Sequence, residues 1–367
     1  MEGTSQLEHN RVRERVVLHV LPHPGGGGET YLGALSDIEG YRFERIHLAP
    51  SAKPYGHPGA ILRRAFSAQR AARAYDVLHV HGEVASTICL PSVATRPSIV
   101  TLHGLNLLRR LGHPGKHAAK LNLRLIVRAA SGTICVSDAE YADVVDAVGS
   151  RAARSVFVIR NGVELLAPPS PEERSAVREE LGLADSTVVA ISVGALDVPK
   201  DPLSVVRAAI ETARGGVPFS LLLVGDGPFR PEVEQALREQ GSEGVRILGF
   251  RSDVRRLLSA ADLFVLSSGR EGLPYSLLEA MSLGLPPVVS DVPGCIEAVA
   301  DAGIAVQRGD VGGFAEAFRR LAADEQGRLA LGERARDRVA RHFRVEDMAE
   351  RTRQVYDAVV DESLGRR

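Results

Sequence analysis

The chain has 367 residues, of which 44% are hydrophobic and 25% are charged, and its formal net charge is -1. This length predicts two domains of about 150–200 residues each. No apolar run approaches the roughly 20 residues of a membrane span, and no nucleic-acid partner is expected. The cysteines Cys89, Cys135 and Cys295 lie far apart without metal-ligand spacing. They predict buried free thiols in a reducing cytoplasm.

The charge is unevenly distributed along the chain. Residues 1–170 carry 20 Lys and Arg against 14 Asp and Glu, whereas residues 171–367 carry 25 against 32. No acid lies between Glu83 and Asp138. The basic, apolar, helical stretch at 105–128 suits an anionic membrane surface, and it equally suits a solvated face whose Arg stems cover a core. The cations between the two acids are Arg96, Arg109, Arg110, Lys116, Lys120, Arg124 and Arg128.

The first half of the chain alternates short apolar runs with helical patterns. This alternation predicts parallel strands in βαβ units. Helices are predicted at Gly59–Ala74 and Ala139–Val148. The predicted strands are Val16–Leu21, Arg42–Leu48, Val77–His81, Ser98–Leu102, Gly132–Val136 and Ser155–Ile159.

The pattern restarts after a linker at Ala167–Pro171. We therefore place an N-terminal Rossmann-like domain at 1–166 and a second one at 167–344, with a terminal helix at 345–367 that crosses back. Two open α/β sheets bind ligands at the carboxyl ends of their strands, which predicts a cleft between them. Strands are predicted at Thr187–Val193, Phe219–Val224, Val245–Leu248, Leu263–Leu266 and Pro287–Val289, and helices at Leu203–Arg214, Pro231–Glu239, Gly313–Asp324, Glu333–Arg341 and Val345–Leu364.

The segment Glu271-Gly-Leu-Pro-Tyr-Ser-Leu-Leu-Glu279 combines two acids with a helix start. Pro274 suits the first helical turn, whose free N–H groups and positive dipole end attract anions. The segment thus offers a phosphate cradle with a carboxylate on each side, as a nucleotide-activated sugar requires. By themselves, the two glutamates would fit a capping acid and a solvated helix residue.

Three further motifs follow predicted strands. A glycine run at 25–28 allows close approach of backbone to a ligand, although it also fits a flexible loop. Each of His81 and His103 precedes a glycine at the end of a strand, where open α/β sheets place functional groups. Lys200 follows another strand and, with the helix start at Pro274, forms a plausible diphosphate clamp.

These motifs resemble family 4 of the retaining glycosyltransferases, also described as glycosyl transferases group 1, over most of the chain. The resemblance implies the GT-B fold, an α/β class with two Rossmann-like domains whose parallel sheets face a central cleft. The motifs that carry it are Gly26-Gly-Gly-Glu29, Thr101-Leu-His-Gly104, Val158-Ile-Arg-Asn-Gly-Val163, Val193-Gly-Ala-Leu-Asp-Val-Pro-Lys200, Leu221-Leu-Leu-Val-Gly-Asp-Gly-Pro228, Leu248-Gly-Phe250, Ala261-Asp-Leu-Phe-Val-Leu-Ser267, the segment from Glu271 to Glu279 and its Gly284-Leu-Pro-Pro-Val tail.

The resemblance also implies a role for each matched residue. Glu271 corresponds to the acid that contacts the donor sugar, Lys200 to the diphosphate cation and His103 to the histidine beside the sugar, and these three form the predicted catalytic set. Glu279 corresponds to the acid that binds the ribose hydroxyls. The other predicted donor-binding residues are Gly26 and Gly27 at the diphosphate, Gly249 and Phe250 at the base, and Gly272, Leu273, Tyr275 and Ser276 in the acidic segment.

The implied activity is transfer of a hexose from a UDP- or GDP-sugar to a hydroxyl, with retention and without a metal. The sequence contains no D-x-D pair. The nucleotide sugar would be a co-substrate, and the acceptor would be a sugar or a lipid-linked molecule, in synthesis of a bacterial polysaccharide, glycolipid or small glycoside. The expected location is cytoplasmic or peripheral on the membrane. Ala195 departs from the family, which often has an arginine there, and Arg160 and Arg251 are candidate substitutes.

Several other functions fit parts of this pattern. A glycoside hydrolase would use two carboxylates that flank one bond, whereas these two flank a phosphate-binding helix start. A nucleotide-sugar epimerase shares the architecture, and a degenerate, non-catalytic sugar-nucleotide-binding scaffold would be consistent with Ala195. A Rossmann dehydrogenase is disfavoured, because the glycine run lacks the G-x-G-x-x-G register.

Overall fold

The computed structural model describes residues 14–50, 64, 70, 74–105, 107, 108, 112, 114–241 and 244–365. They form two compact units. The first contains the described residues of Met1–Cys135, Val144–Phe157 and Ala349–Arg367, and the second contains Val136–Asp143 and Val158–Met348. The chain thus changes unit at Val136, Val144, Val158 and Ala349. The domain boundaries predicted from the sequence are at residues 167 and 345.

The sheet of the first unit has the strand order β2-β1-β3-β4-β5-β6. Its strands are short apolar runs, and the pairs from β2 to β5 are parallel. The strands are β1 (Arg15–Leu21), β2 (Tyr41–His47), β3 (Val77–His81), β4 (Ser98–Thr101), β5 (Gly132–Cys135) and β6 (Val156–Val158). The helices of this unit are α1 (Gly27–Gly33), α2 (Glu83–Ile88), α3 (Leu90–Val93) and α4 (Gly115–Ala129), with a 3₁₀ turn at Ala152–Ser155. Helix α5 (Asp138–Val148) begins in the second unit and ends in the first.

The sheet of the second unit has the order β12-β11-β10-β7-β8-β9 and is parallel. Its strands are β7 (Val188–Val193), β8 (Phe219–Val224), β9 (Val245–Gly249), β10 (Leu263–Leu266), β11 (Pro287–Ser290) and β12 (Ile304–Val306). Its helices are α6 (Pro171–Glu180), α7 (Pro202–Arg214), α8 (Arg230–Gln240), α9 (Val254–Ser259), α10 (Tyr275–Ser282), α11 (Pro293–Val299), α12 (Val311–Ala323) and α13 (Glu325–His342), and a 3₁₀ turn spans Val198–Lys200. The terminal helix α14 spans Val345–Gly365.

The core of the second unit lies between its sheet and the helices α7 and α12. Val205, Val206, Leu221 and Val265 are fully buried there. Phe219 on β8 stacks on Phe318 of α12 with ring centroids 4.9 Å apart. Two buried aromatic rings in offset contact hold the helix layer on the strands.

The strand order places a switch point beside β7 in the second unit. The chain runs from β7 to β8 and β9 on one side, and then from β10 to β12 on the other. The loops after β7 and β10 are therefore neighbours, and ligands of open α/β sheets bind at such a point. These two loops carry Lys200 and Glu271.

The two parallel sheets confirm the predicted α/β class and the strands named from the sequence. The strand β12 was not predicted, and the helix predicted at Glu333–Arg341 begins earlier, at Glu325, where the Asp324 carboxylate caps it. The predicted linker ends in a helix: Ser170 and Glu173 form a capping box, and Pro171 occupies the first turn. Most of the helix predicted at Gly59–Ala74 lies outside the described residues.

Candidate functional site

Lys200 lies at the end of a short turn that its own neighbours fix. Strand β7 ends at Val193, and the 3₁₀ turn Val198–Lys200 follows. The Asp197 carboxylate caps this turn by accepting a hydrogen bond of 3.2 Å from the Lys200 backbone N–H. The lysine stem crosses Gly194, where an added Cβ would lie 3.6 Å from Lys200 Cε. The turn thus holds the ammonium group beside the end of β7.

The loop after β10 is bonded directly to this turn. The Ser267 hydroxyl lies 2.7 Å from the Asp201 carbonyl and 3.1 Å from the Lys200 carbonyl. The Gly269 N–H donates to the Pro199 carbonyl over 2.8 Å. Because these bonds join the two loops at the switch point, the side chains that they carry have a fixed relative position.

Lys200 and Glu271 form an ion pair within this frame. Lys200 Nζ lies 2.6 Å from Glu271 Oε1, and the Ser268 hydroxyl donates to the same oxygen over 2.6 Å. The two side chains are 27% and 10% exposed. Burial alone would lower the pKa of Lys200, but the Glu271 carboxylate outweighs burial and raises it. The lysine is therefore a fixed positive charge at neutral pH.

The start of α10 adds an anion site and a second acid. Pro274 is the N-cap, no side chain caps the helix, and its first turn contains no acid. The N–H groups and dipole of this turn therefore suit a phosphate. Glu279 is partly buried, and burial raises its pKa. In the described part of the chain its carboxylate has no hydrogen-bond partner, so it can accept hydroxyl donors.

The backbone between Glu271 and α10 packs against a glycine and accepts a hydrogen bond from an asparagine. An added Cβ at Gly294 in α11 would lie 2.1 Å from the Gly272 carbonyl oxygen, so only glycine fits there. The Asn161 Nδ2 donates to the Leu273 carbonyl over 2.7 Å. Leu273 and Tyr275 are only 3% and 8% exposed, so these two predicted donor-binding residues are anchors whose side chains face the interior.

Gly249 and Phe250 follow β9 in the same unit. Gly249 has a positive φ of 68°, and its carbonyl accepts a hydrogen bond of 2.8 Å from the Gly225 N–H. An added Cβ at Gly225 would lie 1.9 Å from the Gly194 carbonyl oxygen, so the close packing here requires glycine at position 225. Phe250 is 82% exposed, so its ring is accessible to a flat ligand such as a base.

The remaining predicted site residues, Gly26, Gly27 and His103, lie in the first unit. Gly26 has a φ of 74° and is the N-cap of α1, where it provides no side-chain cap, and Gly27 begins the helix. Its positive φ favours glycine and lets the loop after β1 turn into the helix. These features agree with a close approach of backbone to a ligand, which stays a prediction.

His103 has a strained backbone at the end of β4. Its φ of 56° and the φ of 48° at Leu105 are left-handed values that non-glycine residues rarely adopt. Its Nε2 lies 2.9 Å from the Nδ1 of His81. Burial lowers the pKa of His103 to about 4, so the ring is neutral at physiological pH. His81 is 1% exposed, so its ring is buried behind His103.

The two candidate substitutes for the arginine missing at Ala195 are bound to acids. Arg160 pairs with Glu297 over 3.0 Å and with Asp138. Arg251 pairs with Asp253 over 2.6 Å and holds the pKa of that carboxyl at about 2. Both guanidinium groups are paired with acids, as Lys200 is, and the suggestion that one of them completes the clamp stays a prediction.

Comparison with known proteins identifies the family. The family described as Glycosyltransferase Family 4 matches residues 11–165, and the one described as Glycosyl transferases group 1 matches residues 187–324. The chain is 32% identical over 288 residues to the alpha-maltose-1-phosphate synthase of Mycobacterium tuberculosis, covering 72% of this chain and 73% of that protein. The chain is a family 4 glycosyltransferase. The resemblance seen in its motifs is thereby confirmed.

Two further relatives cover similar shares of the glycosyltransferase. The N-acetyl-alpha-D-glucosaminyl L-malate synthase of Bacillus anthracis is 29% identical over 79% of this chain and 77% of its own. The UDP-Gal:alpha-D-GlcNAc-diphosphoundecaprenol alpha-1,3-galactosyltransferase of Escherichia coli is 28% identical over 78% and 76%. These relatives give no support to the epimerase alternative.

Solved structures confirm the GT-B architecture of the glycosyltransferase. Anabaena HepE in complex with UDP and glucose matches with a TM-score of 0.79 and 22% identity, covering 93% of this chain and 99% of that one. The sucrose-phosphate synthase of Thermosynechococcus elongatus matches with a TM-score of 0.78 and 20% identity, covering 95% and 100%. No helix within the described residues is long and apolar enough to cross a membrane.

Sequence reasoning about the glycosyltransferase missed several supporting residues. Ser268 follows a matched motif directly, and Gly294 lies beyond the Gly284-Leu-Pro-Pro-Val tail and packs against Gly272, 22 positions earlier. Asn161 lay within a quoted motif, but its bond to Leu273 spans 112 positions. His19 lies on a predicted strand, which was the sign in the sequence that it could be buried beside other strand residues. The structure pairs it with His79.

Proposed function

We propose that this glycosyltransferase is a retaining, metal-independent hexosyltransferase that moves a sugar from a UDP- or GDP-linked donor to an acceptor hydroxyl. The observation that supports this most is the Lys200–Glu271 ion pair beside the uncapped start of α10. A cation and free N–H groups together suit a diphosphate, and the two acids suit sugar and ribose hydroxyls. The relatives' names include a lipid-linked and a small acceptor, in agreement with glycolipid, polysaccharide or small-glycoside synthesis.

In the proposed reaction, the bond between the anomeric carbon and the leaving phosphate oxygen breaks. The acceptor oxygen forms its bond on the same face, and the acceptor proton passes to a phosphate oxygen. The Lys200 charge and the start of α10 stabilise the negative charge that develops on the phosphate. Glu271, which pairs with Lys200, then accepts a hydrogen bond from a hydroxyl of the donor sugar.

Metal independence follows from the same arrangement in this proposal. A divalent cation would supply positive charge at the diphosphate, and here Lys200 and the helix start supply it. The sequence has no D-x-D pair to hold such a cation. The nucleotide sugar is then the sole co-substrate besides the acceptor.

The first test is a thermal-shift series with UDP, GDP, ADP and dTDP, each with and without Mg²⁺. A nucleotide present at 100 times its Kd should stabilise the protein by about 2.7 kcal/mol. We expect one nucleotide to act without metal and to lose its effect in Glu279→Ala. The anomeric proton coupling of the product then reports retention or inversion. A shift that requires Mg²⁺, or an inverted product, would refute that part of the proposal.

We also propose that the glycosyltransferase meets its acceptor at the cytoplasmic face of a membrane, on which helix α4 docks. Two leucines on this helix, Leu121 and Leu125, are 57% and 47% exposed. The exposed basic residues Lys116, Arg124 and Arg128 lie on the same helix. Exposed leucines one turn apart beside cations suit an anionic lipid surface. Arg109 and Arg110, which also belong to the predicted basic stretch, lie outside the described residues.

Vesicle sedimentation tests this membrane proposal. We expect binding to phosphatidylglycerol vesicles that weakens in high salt and is lost in Leu121→Ser/Leu125→Ser. The matched control is Leu329→Ser, which changes a leucine that is 60% exposed on α13. Equal binding of the double variant and the control, or equal binding to phosphatidylcholine, would show that α4 does not dock on anionic lipid.

A further inference from the structure

A chain of polar contacts among four histidines, a tyrosine and a threonine lies inside the first unit and ends at His103. His79 Nε2 lies 2.7 Å from the Thr101 hydroxyl, and His79 Nδ1 lies 2.7 Å from the Tyr356 hydroxyl. That hydroxyl lies 3.5 Å from His19 Nε2. His19 Nδ1 lies 2.8 Å from His81 Nε2, and His81 Nδ1 lies 2.9 Å from His103 Nε2. In order, the six members of this histidine chain are Thr101, His79, Tyr356, His19, His81 and His103.

The sheet register brings these side chains together. His19 on β1 pairs with His79 on β3, and His81 on β3 pairs with Thr101 on β4. Residues two apart on a strand share a face, so His79 and His81 point the same way. Tyr356 comes from α14, in the part of that helix that belongs to the first unit.

The chain is buried and electrically neutral. His19, His79, Thr101 and Tyr356 are 0% exposed. Burial lowers the pKa of His19 to about 3, and burial together with the neighbouring imidazoles lowers those of His79 and His81 well below the ordinary value. Among the described residues, none of the six side chains has a carboxylate partner. Each imidazole therefore carries a single proton, on one nitrogen.

Because each imidazole has one proton, it donates one hydrogen bond and accepts the other. The donor in every contact of the histidine chain then follows from one member, and that member is Tyr356. A phenol is a stronger hydrogen-bond donor than an alcohol and a weaker acceptor, and it has only one proton. Its contact with His79 is 2.7 Å, within the normal range, whereas its contact with His19 is 3.5 Å. The phenol proton therefore goes to His79 Nδ1, and His79 donates from Nε2 to Thr101.

The remaining protons follow from this first one. The phenol oxygen has no further proton, so the nitrogen of His19 that faces it must carry one, because two lone pairs would repel each other. His19 Nδ1 then accepts from His81 Nε2–H, and His81 Nδ1 accepts from His103 Nε2–H. The Nδ1 of His103 is left without a proton.

We propose that Tyr356 is a positioning residue that, through the histidine chain, fixes His103 in its Nε2–H tautomer. His103 then presents Nδ1 as a hydrogen-bond acceptor. Resting on the proposed function, this means that His103 receives a hydrogen bond from a hydroxyl of the donor sugar and does not donate to the phosphate. The surrounding structure holds the strained backbone of His103, and the histidine chain fixes its proton.

The tautomer of His103 is directly measurable by long-range ¹H–¹⁵N NMR of histidine-labelled protein at pH 7.5, with the His103 signals assigned from a His103→Gln sample. We expect a single Nε2–H tautomer in the wild type. In Tyr356→Phe, which keeps the ring and removes the hydroxyl, we expect both tautomers. The matched control is Tyr41→Phe, because the Tyr41 hydroxyl also hydrogen-bonds in the first unit, to Asp357, but is outside the chain.

Several outcomes would overturn this proposal. An Nδ1–H tautomer in the wild type reverses the direction of the chain, and this result stands even if Tyr356→Phe does not fold. An unchanged tautomer in folded Tyr356→Phe removes the role of the phenol. Because nitrogens of His19, His79 and His81 lie within 4.8 Å of one another, stoichiometric zinc in the purified protein would also overturn it.

Kinetics separate this positioning role from general damage. Tyr356→Phe should lower kcat/KM for the donor sugar about tenfold, while the Kd of the nucleotide diphosphate, which lacks the sugar, changes less than about twofold. Equal losses in both constants would indicate a purely structural effect. If the wild type neither binds nucleotides nor transfers sugar but shows the Nε2–H tautomer, the proposed function fails and the histidine chain stands.

Discussion

Gly294→Ala should displace the backbone of Glu271, the acid proposed to contact the donor sugar. The new Cβ would lie 2.1 Å from the Gly272 carbonyl oxygen and 2.8 Å from that of Glu271. Relief requires a shift of about 1 Å, since crowded Cβ contacts close to this distance are not tolerated in packed interiors. The Leu273 carbonyl is bonded to Asn161, so the shift falls on the backbone of Glu271 and Gly272.

The size of both effects follows from this geometry. Overpacking of this kind costs about 1–3 kcal/mol of unfolding free energy, more than the gain of about 0.4–1 kcal/mol from replacing a helical glycine. A displacement of about 1 Å in a catalytic group lowers turnover about 100-fold. Urea unfolding measures the first effect, and transfer from the nucleotide sugar selected by the binding series measures the second.

Gly312→Ala is the matched control for this substitution. Gly294 and Gly312 are each the second residue of a helix, α11 and α12. At Gly312 the nearest atom to an added Cβ is Asp310 Oδ1 at 3.5 Å, an ordinary contact. The control should keep its activity and its stability or gain slightly. Wild-type stability and turnover in Gly294→Ala would refute the claim that this glycine seats the acidic segment.

Three further predictions concern charge and pH. Lys200→Met should weaken nucleotide diphosphate binding by about 10–100-fold, measured by calorimetry, because it removes a charge-assisted contact; an unchanged Kd would exclude Lys200 from the diphosphate site. Lys200→Met/Glu271→Gln should be more stable than Lys200→Met alone in urea, since the single variant leaves a mostly buried carboxylate without its cation; additive losses would contradict this pairing. Burial lowers the pKa of His19 from 6.5 to about 3. Between these pH values the imidazole is protonated in the unfolded chain and neutral in the folded protein. The free energy of unfolding therefore falls as pH drops from about 6.5 towards 3. Between pH 6 and 4, His19→Gln should therefore reduce the slope of unfolding free energy against pH by about 1.4 kcal/mol per pH unit. Equal slopes in the variant and the wild type would show that folding does not lower the pKa of His19.

The sequence predicted the strands of both sheets well because each is a short apolar run between turns. Val77–His81 and Phe219–Val224 were placed with the ends that the structure has. Helix starts were harder to predict. The run of prolines before Pro171 suggests a linker, yet Ser170 and Glu173 cap a helix there, and a cap is a geometric relation that composition alone does not show.

The helix start in the acidic segment was predicted to within a residue, since Pro274 is its N-cap. The segment from Glu271 to Glu279 carries its own helix start, so its chemistry is local in sequence. The loop of Lys200 was also placed correctly after a strand. Their 2.6 Å contact spans 71 positions and depends on the strand order that makes β7 and β10 neighbours.

By itself, the sequence determined the family and the α/β class, and it named the two acids, the lysine and the histidine as candidate site residues. These features depend on residue type and short-range spacing, which the chain displays directly. Tertiary structure alone decided that Glu271 neutralises Lys200, that Gly294 packs against the acidic segment and that Tyr356 is linked to His103 through His19 and His81. Those relations join residues distant in sequence, and only the folded register and packing fix which atoms meet.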